Sequence, residues 1–185
     1  IESIIGGSGI NNFIFDGTDS FAGSIDGNGS LNSLNYSDYG SAVSVDLAAG
    51  TAGAATGISG TVSGITRVVG SAYADTFTDG DAGDTYEGLA GDDTYIFGDD
   101  WGTDTIIDTA GNDSVSFAPG ANGVAIDFTD SFGSLVANDG GASQLNAASI
   151  ETVEGSAGDD VFTAQLGETV NADVLGGAGN DRVVV

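Results

Sequence analysis

Aspartates at a fixed place in a repeated nine-residue phrase are the side chains of this chain that are best suited to chemistry. The phrase reads GLAGDDTYI at 88–96, GSAGDDVFT at 155–163 and GGAGNDRVV at 176–184. Each copy opens with glycine, carries aspartate sixth and places a large apolar residue eighth. Carboxylates and turn carbonyls are the oxygen ligands that hard divalent cations prefer. The phrase therefore predicts a turn that binds a cation, followed by a short strand.

The same phrase runs nearly in tandem through the middle of the chain. Units begin at residues 70, 79, 88 and 108, and an irregular unit, GDDWGTDTI, covers 98–106. Their large apolar residues recur at close to the length of one unit, which an α-helix does not explain. A coil with one turn and one short strand per unit does explain this spacing, and its apolar positions should form the core. These positions are Phe77, Tyr86, Tyr95, Ile106 and Val115.

Charge limits what the chain can bind. It has 28 acidic residues, two arginines and neither lysine nor histidine, which gives a formal net charge of −26. Nothing in such a chain could neutralise phosphates, so a nucleic-acid partner is excluded. A compact state with this charge repels itself unless counter-ions compensate it. The many aromatic and β-branched residues nevertheless favour a folded chain over a disordered one.

Catalytic groups are scarce. Without cysteine, histidine or lysine, and with only Arg67 and Arg182 as cations, the chain lacks most of the usual acids, bases and nucleophiles. Paired carboxylates could serve a glycosidase, but turn formation already accounts for the aspartates. We therefore expect no enzymatic activity. No run approaches the roughly 20 apolar residues of a membrane span, so no membrane insertion is expected.

A longer repeat contains the nine-residue units. Three segments resemble one another, at 1–15, 65–79 and 150–164. The sequence thus predicts a first copy, a second copy and a truncated third copy, covering 1–64, 65–149 and 150–185. Because stacked repeats bury their faces against their neighbours, we expect one continuous solenoid, excerpted from a longer chain.

The segments between the nine-residue units also have readable patterns. Apolar and polar residues alternate in AVSVDL at 42–47 and in GVAIDF at 123–128, which predicts half-buried strands. The stretch 48–64 consists almost entirely of Gly, Ala, Ser and Thr. It could be a flexible linker, but the repeats on both sides favour thin β-coils or a long surface loop.

The nine-residue units match a known motif, G-G-x-G-x-D followed one place later by a large apolar residue. The unit at 176–184 matches it in full, and those at 88–96 and 155–163 miss only the second glycine, at Leu89 and Ser156. In this the chain resembles the repeats-in-toxin (RTX) calcium-binding proteins, which are large secreted bacterial proteins. The resemblance implies an all-β fold, a parallel β-roll or β-solenoid in which alternate units lie on the same side and calcium sits between their turns.

The resemblance also implies which residues bind the metal. Sixth-position aspartates would be ligands: Asp75, Asp93 and Asp113 in one ladder, Asp84 and Asp104 in the opposite ladder, and Asp160 and Asp181 in the third copy. Seven glycines would supply carbonyls or turns with positive φ: Gly70, Gly88, Gly91, Gly155, Gly158, Gly177 and Gly179. The expected cofactor is calcium, several ions of it, concentrated in residues 70–116 and again after residue 155.

Some positions depart from the motif. Asn11 takes the sixth position of the first unit and Asn32 aligns with Asp113, so these rungs should bind calcium weakly or not at all. Asp104 lies in the irregular unit, out of register. Trp101 is expected to be exposed there, where it could stack on a sugar, although a packing role is the simpler interpretation. Gly-Asp and Asn-Asp dipeptides also form turns without metal, so purely structural aspartates are the alternative.

These features favour a non-enzymatic structural segment of a secreted or cell-surface bacterial protein. It would belong to an adhesin stalk, a surface-layer lattice or an extracellular fibre that calcium folds and rigidifies. The expected location is extracellular or on the bacterial surface after type I secretion, and the expected partners are calcium, neighbouring repeats and copies of itself. Two alternatives remain: a face that recognises glycans or ice, and a non-catalytic module of a secreted polysaccharide-active enzyme.

Overall fold

The computed structural model describes residues 1–48, 50–51, 53–80, 83–129, 134–164 and 171–185. Within these residues all regular secondary structure is β, and most strands are three residues long. The strands are β1 (Ser3–Ile5), β2 (Asn12–Ile14), β3 (Ser24–Asp26), β4 (Ser33–Asn35), β5 (Ser44–Asp46), β6 (Val62–Ser63), β7 (Arg67–Val69), β8 (Thr76–Thr78), β9 (Thr85–Glu87), β10 (Thr94–Ile96), β11 (Thr103–Ile107), β12 (Ser114–Ser116), β13 (Ala125–Phe128), β14 (Leu135–Asn138), β15 (Gln144–Ala147), β16 (Thr152–Glu154), β17 (Val161–Ala164), β18 (Asp173–Leu175) and β19 (Arg182–Val184). This part of the chain contains no helix that could span a membrane.

Successive strands in the middle of the chain alternate between two sheets. The ten-stranded sheet has the order β19-β17-β13-β14-β15-β11-β9-β7-β4-β2, and the six-stranded sheet has the order β18-β16-β12-β10-β8-β5. A third sheet contains β1, β3 and β6. Strands β7 to β12 pair only in parallel, each with a strand from the next turn on its own side. The predicted all-β fold with the parallel sheets of a β-roll is therefore confirmed.

The core consists of the middle residues of these short strands. Register stacks Val68 on Tyr86 on Ile106 in one sheet, and stacks Tyr95 between Phe77 and Val115 in the other. Each of these side chains is at most 2% exposed, whereas its neighbours along the strand are mostly half-buried. Such burial stabilises the fold by roughly 1.5–3 kcal/mol per large apolar side chain. The core positions predicted from the repeat are thus confirmed.

The spacer strands also form where the alternating pattern predicts them, as β5 and β13. The second spacer, however, contains a feature that the sequence analysis missed. Strands β13, β14 and β15 make an antiparallel meander, whose outer members rejoin the parallel sheet beside β17 and β11. The loop that joins β14 to β15 is Asp-Gly-Gly-Ala-Ser, with Gly140 at φ 77°. Loops of this length are common between antiparallel strands.

The stretch of small residues at 48–64 packs onto the roll. Ala55 and Ile58 are each 3% exposed and pair with each other; Ala55 also pairs with Val45 of β5, and Ile58 pairs with Phe21. Strand β6 then adds to β3 in the third sheet. Of the alternatives raised by the sequence, the described residues fit thin β-coils rather than a linker. Residues 49 and 52 lie outside the described part.

An aromatic cluster fills the core beside the irregular unit. Trp101 is 1% exposed, so the expectation that it is exposed was wrong and its packing role is confirmed. Its ring centroid lies 5.1 Å from that of Phe117 and 6.2 Å from that of Phe97. Burying so large an aromatic side chain stabilises the fold, even though the unit that contains it departs from the repeat. Trp101 cannot therefore be a sugar-stacking surface residue.

Candidate metal centres

The sixth-position aspartates link one turn to the next by hydrogen bonds. The Asp75 amide donates to Asp93 Oδ1 at 2.7 Å, and the Asp93 amide donates to Asp113 Oδ1 at 2.9 Å. On the opposite side the Asp84 amide donates to Asp104 Oδ1 at 2.6 Å. The structure thus places these five residues in the two ladders that the sequence analysis proposed. Asp104 joins its ladder in spite of the irregular unit around it.

The ladders extend beyond these residues. The Asp113 amide donates to Glu151 Oε2 at 2.7 Å, so a glutamate continues the first ladder. In the third copy the Asp160 amide donates to Asp181 Oδ1 at 3.1 Å, and Asp181 itself is exposed. Sequence analysis missed Glu151 because it lies next to a strand rather than at the sixth position of a recognisable unit.

Four buried carboxylate oxygens in these ladders have no hydrogen-bond partner among the described residues. They are Asp84 Oδ1, Asp93 Oδ2, Asp104 Oδ2 and Asp113 Oδ2. Their residues are at most 3% exposed. Buried polar atoms are almost always paired, and an unpaired buried charge is far more costly than an unpaired neutral group. These oxygens therefore need either a cation or a proton.

Two other predicted ligands are satisfied by the protein itself. Asp75 accepts hydrogen bonds from the amide and the hydroxyl of Ser71, and Asp160 accepts the same pair from Ser156. Both serines occupy the second position of their unit, where the motif has glycine. Asp75 and Asp160 consequently depend less on a cation than the four aspartates that each have one oxygen without a partner.

The asparagine rungs show how a ladder is completed without metal. Asn11 Nδ2 donates to Gly9 O at 2.8 Å and to Gly27 O at 3.0 Å, and Asn32 Nδ2 donates to Gly64 O at 2.8 Å. The backbone amide of Asn11 also donates to Asn32 Oδ1, as the backbone amides of the aspartates do in their ladders. The side-chain amide thus supplies the positive partner that the turn carbonyls require.

Aspartate places an oxygen where asparagine places this nitrogen. Asn32 Nδ2 lies against the first-position Gly27, and Asp93 Oδ2 lies in the same way against Gly88. An aspartate rung therefore carries a carboxylate oxygen at the place where an asparagine rung carries a donor to a turn carbonyl. Oxygen facing oxygen is repulsive unless a cation lies between them.

Two further aspartates approach the ladders, and they form two groups that we name for them. In the Asp79 centre (Asp79, Asp84 and Asp104) and the Asp108 centre (Asp93, Asp108 and Asp113), one carboxylate oxygen of each residue lies within 4.8 Å of the others. All six residues are buried. At that distance two carboxylates repel each other by roughly 3 kcal/mol or more at an effective dielectric of about 20.

Burial raises the pKa of the carboxyl groups of Asp79, Asp84, Asp93, Asp104 and Asp113. The pKa is raised to about 9 for Asp79, where the charge of Asp104 adds to the effect of burial, and to about 7 for Asp93 and Asp104. It is raised to about 6 for Asp84 and Asp113. Loss of water around a carboxylate favours its neutral form. Without a cation, several of these groups would therefore hold protons at neutral pH.

The predicted glycines serve the turns in two ways. Gly91, Gly177 and Gly179 have φ of 114°, 88° and 110°, which side chains rarely adopt. At the other four a Cβ would overlap a ladder carboxylate or the adjacent backbone. These four are Gly70, Gly88, Gly155 and Gly158. Positive φ thus explains three of the seven glycines, and close packing explains the rest.

Sequence analysis missed Asp79 and Asp108. Each stands at the first position of its unit, where the motif has glycine. The sequence does contain a signal for them, because a charged residue replaces glycine at a turn position. The register between turns, which brings these side chains to the ladders, is not visible in one unit.

Compared with protein-family models and with curated proteins, the chain matches none. A functional assignment therefore depends on the geometry of the chain's own residues. That geometry offers several buried aspartate groups that could hold metal ions.

Proposed function

We propose that this chain is a calcium-binding structural segment whose turns are completed by calcium ions. The observation that carries the proposal is the set of four buried ladder oxygens that have no hydrogen-bond partner among the residues that the structure describes. The asparagine rungs support it, because the same fold there fills the equivalent place with an amide donor. A cation between the turns would supply the missing positive partner in the aspartate rungs.

The ligand chemistry favours calcium among the common cations. The available donors are carboxylate oxygens and turn carbonyls, and the chain contains neither histidine nor cysteine. Oxygen-only sites suit hard cations, whereas zinc and copper prefer sites with nitrogen or sulfur. Calcium accepts irregular coordination by six to eight oxygens, while magnesium demands a near-ideal octahedron and retains its waters. A turn that collects carbonyls from two repeats fits calcium better.

Calcium binding would couple folding to the environment. Ions that bind only the folded chain stabilise it in proportion to the logarithm of their concentration. With a net charge of −26, the chain gains further from the neutralisation of its ladders. It would be fully folded outside the cell, where calcium is plentiful, and only marginally stable where calcium is scarce. This behaviour suits a secreted or surface-exposed rod in an adhesin, a surface layer or an extracellular fibre.

The alternatives of a glycan-binding or ice-binding face and of an enzyme accessory module have less support. The one tryptophan, the best candidate for sugar stacking, is buried in the aromatic cluster. Lateral association of copies is compatible with the structural role and needs no separate ligand.

A calcium titration of the chain, followed by far-UV circular dichroism, tests the proposal. Starting in chelator, the β-sheet signal should grow cooperatively as calcium is added, and an equal concentration of magnesium should leave it unchanged. Calcium bound at the end of the titration should exceed one ion per chain. A spectrum that is fully β-sheet in chelator and indifferent to calcium, together with no bound calcium, would refute the proposal.

A further inference from the structure

Asp79 and Asp108 differ in type from the residues that stand beside them in the adjacent turns. Register places Asp79 beside Leu47 in one adjacent turn and Phe97 in the other. It places Asp108 beside Gly88, which is followed in the same row by Gly70. The neighbouring turns therefore put an apolar residue or a glycine where these two residues carry a buried carboxyl group.

Both side chains point at a ladder rather than at solvent. Asp79 is 7% exposed and Asp108 is 6% exposed. In each three-carboxylate centre, the other two members have a buried oxygen without a hydrogen-bond partner in the described part of the chain. These oxygens are Asp84 Oδ1 and Asp104 Oδ2 in the Asp79 centre, and Asp93 Oδ2 and Asp113 Oδ2 in the Asp108 centre. The unpaired oxygens are an observation separate from the clustering, and they point to a ligand.

A tyrosine hydroxyl holds each of the two aspartates in place. The Tyr86 hydroxyl donates to Asp79 Oδ1 at 2.9 Å, and the Tyr95 hydroxyl donates to Asp108 Oδ2. Both tyrosines are core residues with at most 1% exposure, so their rings are fixed by packing. A fixed donor that orients a carboxylate is the usual outer support of a metal ligand. One tyrosine–aspartate pair of this kind thus supports each of the two centres.

We propose that Asp79 and Asp108 are additional metal ligands, which make these two centres the tightest calcium sites of the chain and give them a preference for trivalent cations. The proposal rests on the proposed function, since it concerns calcium in the same ladders. Ligand charge is a main determinant of calcium affinity in proteins. A centre with three carboxylates should therefore fill before a turn with two and should favour an ion of higher charge.

Calcium titrations against a chromophoric chelator at pH 7.5 test the first part. D79N and D108N should each lose one tightly bound ion or weaken it by about tenfold or more. The double variant should lose both. The matched control is D92N/D159N, which removes two charges from exposed aspartates next to the ladder residues Asp93 and Asp160. It should change the calcium affinity of the tight sites by less than about threefold, the size expected for screened surface charge.

Terbium provides the second readout, because Tyr86 and Tyr95 lie close enough to sensitise its luminescence. Terbium should occupy both centres in the wild type and should displace calcium from them at lower concentration than from the remaining sites. D108G is a second variant in which the chain should still fold, because it places glycine where the adjacent turns already have Gly88 and Gly70. It should keep the calcium-induced circular dichroism signal yet lose the Tyr95-sensitised emission.

The outcomes separate this inference from the proposed function. If the wild type binds calcium and folds with it, but D79N and D108N match the D92N/D159N control, the two aspartates only accept hydrogen bonds from tyrosine and this inference is overturned. Y86F and Y95F then reproduce any loss of stability. If the wild type binds no calcium, the proposed function fails and this inference fails with it.

Discussion

At the scale of single residues, the difference between aspartate and asparagine at the sixth position decides whether a turn needs metal. The two side chains have the same shape, and both accept a hydrogen bond from the amide of the preceding turn. They differ at the other atom, which is a donor in asparagine and an oxygen in aspartate. The chain contains both versions of the rung, so each serves as a control for the other.

D93N should therefore have opposite effects with and without calcium. In calcium-free buffer the new amide can donate where Oδ2 is now unpaired, which should stabilise the fold by about 1–3 kcal/mol. A chain of this size shifts its melting midpoint by roughly 2–4 °C per kcal/mol. In saturating calcium the variant should melt lower than the wild type, because one ligand charge is lost. Thermal melts under both conditions measure this.

Asp92, the exposed residue that precedes Asp93, offers the control for that comparison. D92N should leave both midpoints within about 1 °C, since surface substitutions rarely change stability much. The reverse exchange, N32D, should lower the midpoint in calcium-free buffer and recover it on addition of calcium. If D93N lowered both midpoints equally, Oδ2 would not be a metal ligand.

At the scale of elements, each turn is shaped to let the next turn approach closely. Gly88 is the clearest case, since a Cβ there would overlap Asp93 Oδ2, the Tyr95 hydroxyl and Asp108 Oδ2. Gly98 occupies a comparable turn in the irregular unit, but a Cβ there would meet nothing within 4 Å. Neither glycine has a positive φ. The pair therefore separates close packing from backbone conformation.

G88A should destabilise the calcium-bound chain by about 1–3 kcal/mol, the usual effect of forcing a methyl group into a packed site. It should also weaken calcium binding, because it displaces the ladder oxygens. G98A should be neutral or stabilise by up to about 1 kcal/mol through a less flexible unfolded state. Urea denaturation in saturating calcium measures both variants. Equal destabilisation by the two substitutions would contradict the packing argument.

At the scale of the whole molecule, charge compensation sets the conditions for folding. Two long sheets run through all three predicted copies, so the ladders of the middle copy lie within a continuous structure. The boundaries of the copies stay predictions. Protons and calcium ions are the two available means of neutralising the buried carboxylates, and they compete for the same oxygens.

The calcium-free chain should therefore be more stable in acid than at neutral pH. Folding raises the pKa of Asp93 and Asp104 to about 7 and that of Asp79 to about 9, whereas the unfolded value is about 3.9. A group whose pKa is raised by folding stabilises the fold below its unfolded pKa. That stability is lost as the pH rises through the folded pKa. The loss should begin near pH 4, the pKa of the unfolded chain, and should be complete by about pH 9.

Melting midpoints at pH 5 and pH 8, with and without calcium, measure this effect. In calcium-free buffer the midpoint should fall from pH 5 to pH 8. The gain in midpoint on adding calcium should grow over the same interval, because fewer protons compete for the ligands. A calcium-free midpoint that rises with pH would show that the buried aspartates are not protonated in the folded chain.

The sequence by itself determined the β-roll, the positions of the core and the rows of sixth-position aspartates. These features repeat with the length of one unit, so local spacing encodes them. Phe77, Tyr86 and Tyr95 had to stack once each unit formed one turn and one strand. Alternate units then had to bring Asp75, Asp93 and Asp113 into one row.

Only the tertiary structure decided how each aspartate is satisfied. Asp75 and Asp160 turned out to have serine partners, Asp79 and Asp108 joined the ladders, and Trp101 was buried. The antiparallel meander also appeared only there. The serine partners lie only four residues before their aspartates, but they are seen only once the side chains are placed. The ladder centres join side chains of different turns, about 20 residues apart in the sequence, which register brings together. A single unit contains its own turn but not its neighbours.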